Sequence, residues 1–370
     1  MTKFIIPYVN FDRYNHYIKK NLLKSFKRTL DSGRYILGPE VKKFEEEFCA
    51  YSGLKYALGV SNGTCALRMS LKQLGVKPGD EVIVPPNAFI ANISAIIDNQ
   101  AKPVFVDVGD DFNIDPKLIE KSITKKTKVI MAVHLYGKPA QMYKIVNIAK
   151  KYNLKILEDC SQAFGSKLNN KFVGSFGDIA VFSLHPLKNL NAYGDAGVIS
   201  MRSQKIYKNL SILRNHGLIN RDVCIKWGCN CRLDEMQAGL LRVTLKFFKL
   251  SNKSKRYSAK YFSKNLKDYL IVPKVISKKE HHVYQTYVVR TDYRDQLKKF
   301  LESKKIETLI YYSIPLHMQP AAKKFNYKPE DFKNALKFSK DMLSLPIYPF
   351  MNDKERRYIV SSIKEFFNNI

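Results

Sequence analysis

The sequence predicts an α/β fold: an open, mainly parallel sheet with helices between its strands, followed by a smaller α+β region. Three observations carry this. Short apolar runs alternate with amphipathic segments through the first part of the chain. The runs are of strand length, and the segments between them repeat their apolar residues at helical spacing. Beyond about residue 246 that alternation gives way to a different order of helix and strand, so we expect a large domain over 1–245 and a small one over 246–370.

Each element has its own reason. Residues 14–32 read as a basic helix. Gly38-Pro39-Glu40 opens a second helix whose apolar face holds Phe44, Phe48 and Tyr51. Tyr56-Ala57-Leu58-Gly59-Val60 is a short strand. Ser61-Asn62-Gly63-Thr64 turns it into a helix marked by Leu67, Leu71 and Leu74, with Ser61 or Thr64 as candidate cap. The strand Glu81-Val82-Ile83-Val84 leaves through Pro85-Pro86-Asn87-Ala88-Phe89 into a helix over 90–99. Residues 103–107 form the next strand, and Asp115 caps a helix that has Pro116 at its first position. The run 129–134 is a buried strand, 142–152 an amphipathic helix, and 154–157 a strand ending in Glu158-Asp159-Cys160-Ser161-Gln162. The run 179–182 is a strand that ends at Ser183-Leu184-His185-Pro186-Leu187-Lys188.

A long loop runs from Arg214 to Ala238, and a helix continues to about Leu250. A charge-rich helix over 252–266 then enters the second region. There we expect a strand at 283–290, a helix at 294–303, a strand at 306–311 and a last helix from Asp353.

Composition narrows the classes. Lys and Arg number 63 against 33 Asp and Glu, giving a formal charge of +30. The lysines are scattered, as at Lys125-Lys126 and Lys150-Lys151, and no basic tail or familiar nucleic-acid motif appears. The charge reads as a solvated surface whose field attracts an anionic substrate, not as a nucleic-acid footprint. No apolar run is long enough to span a bilayer, so no membrane insertion is expected. The first residues lack the pattern of a signal peptide. Six cysteines in so long a chain do not make a disulfide scaffold, and a cytoplasmic location is the simpler expectation. Cys224, Cys229, Cys231 and His216 invite a zinc reading. Their spacing is not that of paired C-x-x-C ligands, and no metal is expected.

The chemistry-bearing residues fall at strand ends. Gly63, Phe89, Asp159, Gln162 and Ser183 all follow predicted strands, where open α/β sheets bind their ligands. The helix opening at Gly63 offers backbone N–H groups and a positive dipole end to a phosphate. Lys188 follows Ser183 in a loop fixed by Pro186, Gly194 and Gly197, and a lysine amine held there can form a Schiff base with an aldehyde cofactor. The carboxylate of Asp159 can face a protonated ring nitrogen and favour its charged form. Each residue has a plainer reading as a solvated lysine, a helix cap or a core aromatic. Their coincidence outweighs any one of them.

The assembled pattern resembles the DegT/DnrJ/StrS family of pyridoxal-phosphate-dependent nucleotide-sugar aminotransferases. The resemblance covers nearly the whole chain. It runs from Gly38-Pro39-Glu40 through Ser61-Asn62-Gly63-Thr64 and Gly79-Asp80-Glu81-Val82-Ile83-Val84-Pro85. Val133-His134-Leu135-Tyr136-Gly137, Glu158-Asp159-Cys160-Ser161-Gln162-Ala163, the Lys188 segment, Gly228-x-Asn230-x-Arg232 and Pro315-Leu316-His317 complete it. The resemblance implies the aminotransferase fold type I, with a mixed, mainly parallel sheet in the large domain and a smaller C-terminal α+β domain. It implies pyridoxal 5'-phosphate as cofactor, with Lys188 as the Schiff-base lysine and Asp159 as partner of the pyridine nitrogen. Gln162 would lie near the ring hydroxyl, and Phe89 would stack on the ring. Gly63, Thr64 and Ser183 would cradle the phosphate, joined by Asn230 from a neighbouring subunit of a homodimer. His185, Tyr312 and His317 would line the substrate cleft. The implied substrates are an amino donor, glutamate in most of the family, and a keto sugar linked to a nucleoside diphosphate. The segment 183–191 looks closer to relatives that aminate position 3.

Ala88, Cys160-Ser161 and Ala196 depart from common family residues, but none removes a group the chemistry needs. Two rival readings use the same fold: a sugar dehydratase, whose relatives carry histidine where Lys188 stands, and a catalytically inert regulator. A nucleic-acid-binding protein is suggested by charge alone.

Overall fold

The computed structural model describes residues 4–274 and 279–370. Helices α1 (Phe11–Asp31) and α2 (Pro39–Ser52) lead into β1 (Tyr56–Val60), α3 (Gly63–Gln73), β2 (Glu81–Val84), α4 (Ile90–Asp98) and β3 (Lys102–Phe105). The single turn α5 (Pro116–Ile119) precedes β4 (Thr127–Val133), α6 (Met142–Lys151) and β5 (Lys155–Asp159). A small hairpin, β6 (Lys167–Leu168) and β7 (Lys171–Phe172), comes before β8 (Ile179–Ser183), β9 (Gly197–Met201), α7 (Gln204–Leu213) and α8 (Glu235–Leu266). The chain closes with β10 (Glu280–His281), β11 (Tyr287–Arg290), α9 (Arg294–Ser303), α10 (Lys333–Asp341), β12 (Met342–Leu345) and α11 (Asp353–Asn368).

The main sheet has seven strands in the order β1-β9-β8-β5-β4-β2-β3. Strands β3, β2, β4, β5 and β8 are parallel. β9 runs antiparallel to both β8 and β1, so β1 points the same way as β8. The carboxyl ends of β1, β2, β5 and β8 therefore open on one edge. Strand periodicity sorts the core into two layers. Val82, Val84, Val129, Met131 and Leu157 face the layer of α3 and α4, while Ile83, Ile130 and Ile156 face that of α6.

Helix ends follow their residues. Pro116 stands at the first position of α5, and Asp115 accepts from the Lys117 amide. Asn352 and Glu355 form a reciprocal capping box for α11.

Several elements differ from expectation. The helices expected up to Leu250 and from Asn252 are one, α8, of 32 residues. No Gly or Pro stands at the junction, and Ser251 and Asn252 are buried with side chains on the carbonyls of Phe248 and Val283. Residue 246 thus lies inside a continuous helix. The stretch 306–311 is not a strand. Ile306 bridges Ile6 and Leu309 bridges Ser344, so its partners belong to two separate segments and no ladder forms. The strand expected at 283–290 shortens to β11, because Val283 and Thr286 give their amides to Gly137 and Tyr136 instead. β9, α7 and α10 were not anticipated. Among the described residues, no helix is long and apolar enough to cross a membrane.

Candidate active site

The open edge of the sheet borders a cavity of about 360 Å³. Its wall includes Gly63, Thr64, Phe89, Asp159, Gln162, Ser183, His185, Lys188 and Tyr312, so most of the sequence-predicted residues converge there. The strands explain the convergence. β1 delivers Gly63, β2 leads to Phe89, β5 ends at Asp159 and β8 ends at Ser183.

At one wall β1 turns into α3. Asn62, in extended backbone, caps that helix by accepting from the Cys65 amide at 2.8 Å, in place of the expected Ser61 or Thr64. Gly63 sits so close to β8 that a Cβ there would lie 2.8 Å from the Ser183 Cβ. Only glycine lets the first turn of α3 approach Ser183 and leave a shallow concavity between them.

Asp159 is held from two sides. The Asn92 side-chain amide donates to Oδ2 at 2.6 Å, and the Ser161 backbone amide donates to Oδ1 at 3.0 Å. Sequence reading missed Asn92. It lies one helical turn after Phe89, on the face that α4 turns to the sheet, and that spacing was the available signal. Behind Asp159, buried Glu158 accepts from the amides of Gly174, Phe176 and Gly177 and pairs with His134 at 3.1 Å. Burial pushes the Glu158 carboxyl up, but His134 and the amides hold it below the usual carboxylate range. His134, Glu158 and Cys160 bring potential ligand atoms within 4.8 Å. His134 Nδ1 already accepts from the Ala140 amide, so this cluster braces β4 against β5.

Lys188 follows a tight turn in which its amide donates to the His185 carbonyl at 2.8 Å. Burial pushes its amine below the ordinary lysine value, opposed by the Asp159 carboxylate. Its neighbours are tied to the rest of the fold. Gln285 donates to the Leu187 carbonyl at 2.5 Å. The buried Lys255 amine donates to Asn189 Oδ1 at 2.8 Å and to the Gln285 carbonyl at 3.3 Å. Lys255 also lines the cavity, and burial pushes its amine down to about 7. No sequence signal distinguished it from the chain's many other lysines.

Gln162 accepts from the Tyr136 amide at 2.7 Å and donates to the Tyr312 hydroxyl at 3.3 Å. The Tyr312 ring lies 6.2 Å from that of Phe89, which is 51% exposed at the cavity. His317, expected in the cleft, and Asn230, expected to act from a neighbouring subunit, are not part of this wall. His317 is 3% exposed, packed against Phe105 and Phe332, with Nε2 3.4 Å from the Pro329 carbonyl. Asn230 is exposed on the loop after α7, in an extended segment that bridges Asn215. Of the residues considered for zinc, Cys224 donates to the carbonyls of His216 at 3.4 Å and Lys226 at 3.0 Å.

Such a site can present an amine, a fixed carboxylate and an aromatic face around one flat ligand, with a helix amino terminus beside them. The profile of the DegT/DnrJ/EryC1/StrS aminotransferase family matches residues 16–364. The chain is 40% identical over 363 residues to the dTDP-3-amino-3,6-dideoxy-alpha-D-galactopyranose transaminase of Aneurinibacillus thermoaerophilus, covering 98% of this chain and 99% of that one. It is 37% identical over 369 residues to a protein of Geobacillus stearothermophilus named pleiotropic regulatory protein, with 98% and 99% covered. The crystal structure of S. venezuelae DesV in complex with a ketimine intermediate superposes with a TM-score of 0.96 at 34% identity, across 100% of both chains.

Proposed function

This chain belongs to the DegT/DnrJ/EryC1/StrS aminotransferase family, and from that premise we propose that it moves an amino group from L-glutamate to the 3-position of a keto sugar linked to a nucleoside diphosphate. It is a sugar aminotransferase that uses pyridoxal 5'-phosphate. The observation that carries the reading is the placement of Lys188, Asp159 and Gly63 on one cavity. The 3-position rests on the name of the 40% identical transaminase.

The residues present fit the cofactor. The concavity left by Gly63 against Ser183, with Thr64 beside it, suits the phosphate. Asp159, aimed by Asn92 and Ser161, suits a protonated ring nitrogen, and Phe89 and Gln162 suit the ring face and its hydroxyl. When bound, the cofactor supplies an aldehyde for amine exchange and a ring that accepts electrons. Lys188 would hold the cofactor through its aldehyde carbon, and its amine would carry the proton at the donor's alpha carbon. Burial, which lowers its amine against the pull of Asp159, favours the free base over what an exposed lysine would hold. Lys255 and Gln285 hold the loop on either side of Lys188. His185 and Tyr312 face the sugar.

We place the division between domains at 245/246, within α8, the helix that carries the chain from one core to the other. Leu241, Leu245 and Phe248 pack with the sheet domain, and Ala259, Phe262 and Leu266 with the C-terminal core. The six free cysteines suit a reducing cytoplasm. A second reading, an inert regulator, has the name of the Geobacillus relative in its favour. Lys188, which an inert scaffold would not need in the cavity, stands against it.

Two experiments test the proposal. Nucleotide keto sugars are screened with glutamate, and product mass and NMR give the position aminated. Borohydride reduction of the holoenzyme should fix the cofactor on the Lys188 peptide, and a label on another lysine would overturn the assignment.

Homodimerisation with shared sites is part of the same reading. The loop carrying Asn230 exposes Ile219, Val223, Ile225 and Trp227, the last to 89%, an apolar patch that suits a second copy. Asn230 is proposed to donate to the partner's cofactor phosphate. A hydrogen bond to a charged group contributes about 1.5–3 kcal/mol, so Asn230→Ala should weaken cofactor retention roughly ten- to a hundredfold. Mixing it with Lys188→Ala separates the alternatives. If Asn230 reaches across, the heterodimer has one site with both lesions and one with neither, and activity partly returns. If each subunit uses its own Asn230, mixing restores nothing.

A further inference from the structure

A second lysine amine lines the catalytic cavity, and the chemistry above makes no use of its charge. Lys255 stands on α8 and is 7% exposed. Its Nζ donates to Asn189 Oδ1 at 2.8 Å and to the Gln285 carbonyl at 3.3 Å. Both acceptors are neutral, and no described carboxylate offsets the burial of the amine. A buried ammonium without an anion is costly to keep. An ammonium has three N–H donors, and two are spent here. Asn189 gives its oxygen to Lys255, while its own buried Nδ2 has no partner. The two side chains are therefore rich in donors and short of acceptors.

The rest of the cavity wall narrows what could supply those acceptors. Histidine aside, its charged side chains are Asp159, Lys188, Asp195 and Lys255, and no arginine of this chain is among them. Asp159 is already held by Asn92 and Ser161. Lys188 is assigned to the cofactor aldehyde, and Gly63, Thr64 and Ser183 to its phosphate. Lys255 is the cation that this wall leaves for a second anion. Its partner Asn189 is the next residue in the chain after Lys188.

On the strength of the aminotransferase reading above, we propose that Lys255 and Asn189 receive a carboxylate of the amino donor. The ammonium and the Asn189 amide donate to its oxygens in a charge-assisted pair of hydrogen bonds. That grip holds the donor beside the position of Lys188, where its amine must react. A neutral sugar ring makes no call on the pair, so the pair sorts the two substrates that share the cavity. A carboxylate arriving there also restores charge to an amine that burial pushes down to about 7.

The test compares the full-length holoenzyme with Lys255→Met, which keeps the reach of the side chain without its charge. Each is mixed with L-glutamate, L-alanine or the amino sugar product found in the screen above, and absorbance of the bound cofactor reports amine transfer. The ratio of the second-order rate with glutamate to that with the amino sugar should fall roughly ten- to a hundredfold, the size of one hydrogen bond to a charged group. A displaced Lys188 loop would slow all three amines alike and leave the ratio unchanged. Loss with both glutamate and alanine assigns the alpha-carboxylate, and loss with glutamate alone assigns the distal one. Glutarate, which has no amine to react, should bind the parent in calorimetry and lose affinity by a similar factor in Lys255→Met. Asn189→Ala, which leaves α8 untouched, should show the same split. An unchanged ratio would overturn the proposal while the aminotransferase reading stands. So would a fall confined to the amino sugar, which would assign Lys255 to the nucleotide diphosphate. A parent that takes an amine from none of the three would overturn the reading itself.

Discussion

Lys188→Ala is expected to abolish turnover while the protein stays folded. The fold does not depend on the side chain. The turn is held by the Lys188 amide on the His185 carbonyl and by the Gln285 and Lys255 contacts to Leu187 and Asn189. What alanine removes is the amine, and with it both the covalent anchor and the proton carrier at the donor's alpha carbon. General acid–base catalysis alone contributes roughly 10²–10⁴-fold, and loss of the covalent role adds to that. The product assay with glutamate and the preferred keto sugar should fall to background. Circular dichroism melting should match the parent within a few degrees, as for a substitution that breaks no buried contact. Lys188→Arg should not rescue, because a guanidinium stays charged and cannot act as the nucleophile. Retained turnover in Lys188→Ala would move the chemistry to another residue, with Lys255 the first to examine.

Asp159→Asn should cost roughly 10²–10³-fold in kcat, the range for removing one preorganised electrostatic partner of the reacting group. The side chain keeps its shape but changes its chemistry in two ways. It loses the negative charge that favours a protonated ring nitrogen. It also loses an acceptor. Asp159 now accepts from both Asn92 and Ser161, one bond at each carboxylate oxygen. An asparagine has one oxygen and an NH₂ group that cannot accept, so one donor must be left unpaired or reorient. Asp159→Asn should therefore also hold its cofactor less tightly. Absorbance of the bound cofactor separates the two effects: a saturated site with slow turnover reports the lost charge, and an emptied site the lost bonds. Near-normal kinetics at full occupancy would show that the ring nitrogen finds its charge elsewhere. Asn92→Ala, which leaves the carboxylate but frees one of its oxygens, should lie between the parent and Asp159→Asn.

Much of the sheet was legible because buried strands announce themselves as short apolar runs. The strands at 56–60 and 81–84 match β1 and β2. β9 was not legible. Its five residues, all buried, follow a glycine-rich turn rather than a helix, and its antiparallel insertion between β1 and β8 breaks the alternation. The strand expected at 306–311 failed for the opposite reason. Its apolar residues are buried or partly buried, but its backbone finds partners on two segments. Apolar content reports burial, and a strand also needs a continuous neighbour.

The site divides along the same line. The sequence by itself determined which chemical groups the protein owns: the lysine after β8, the carboxylate ending β5, and the glycine where β1 turns into α3. Those groups are tied to local motifs, and a local motif survives translation into one dimension. Only the tertiary structure decided what surrounds them. It set Asn92 against Asp159 across 67 positions of the chain, and Lys255 against Asn189 across 66. It packed His317 against Phe105 and Phe332 instead of at the cavity, and it set Arg68 against Cys231 across 163 positions. Hydrogen bonds and desolvation depend on which atoms meet, and for residues this far apart that meeting is fixed by how the sheet and α8 pack.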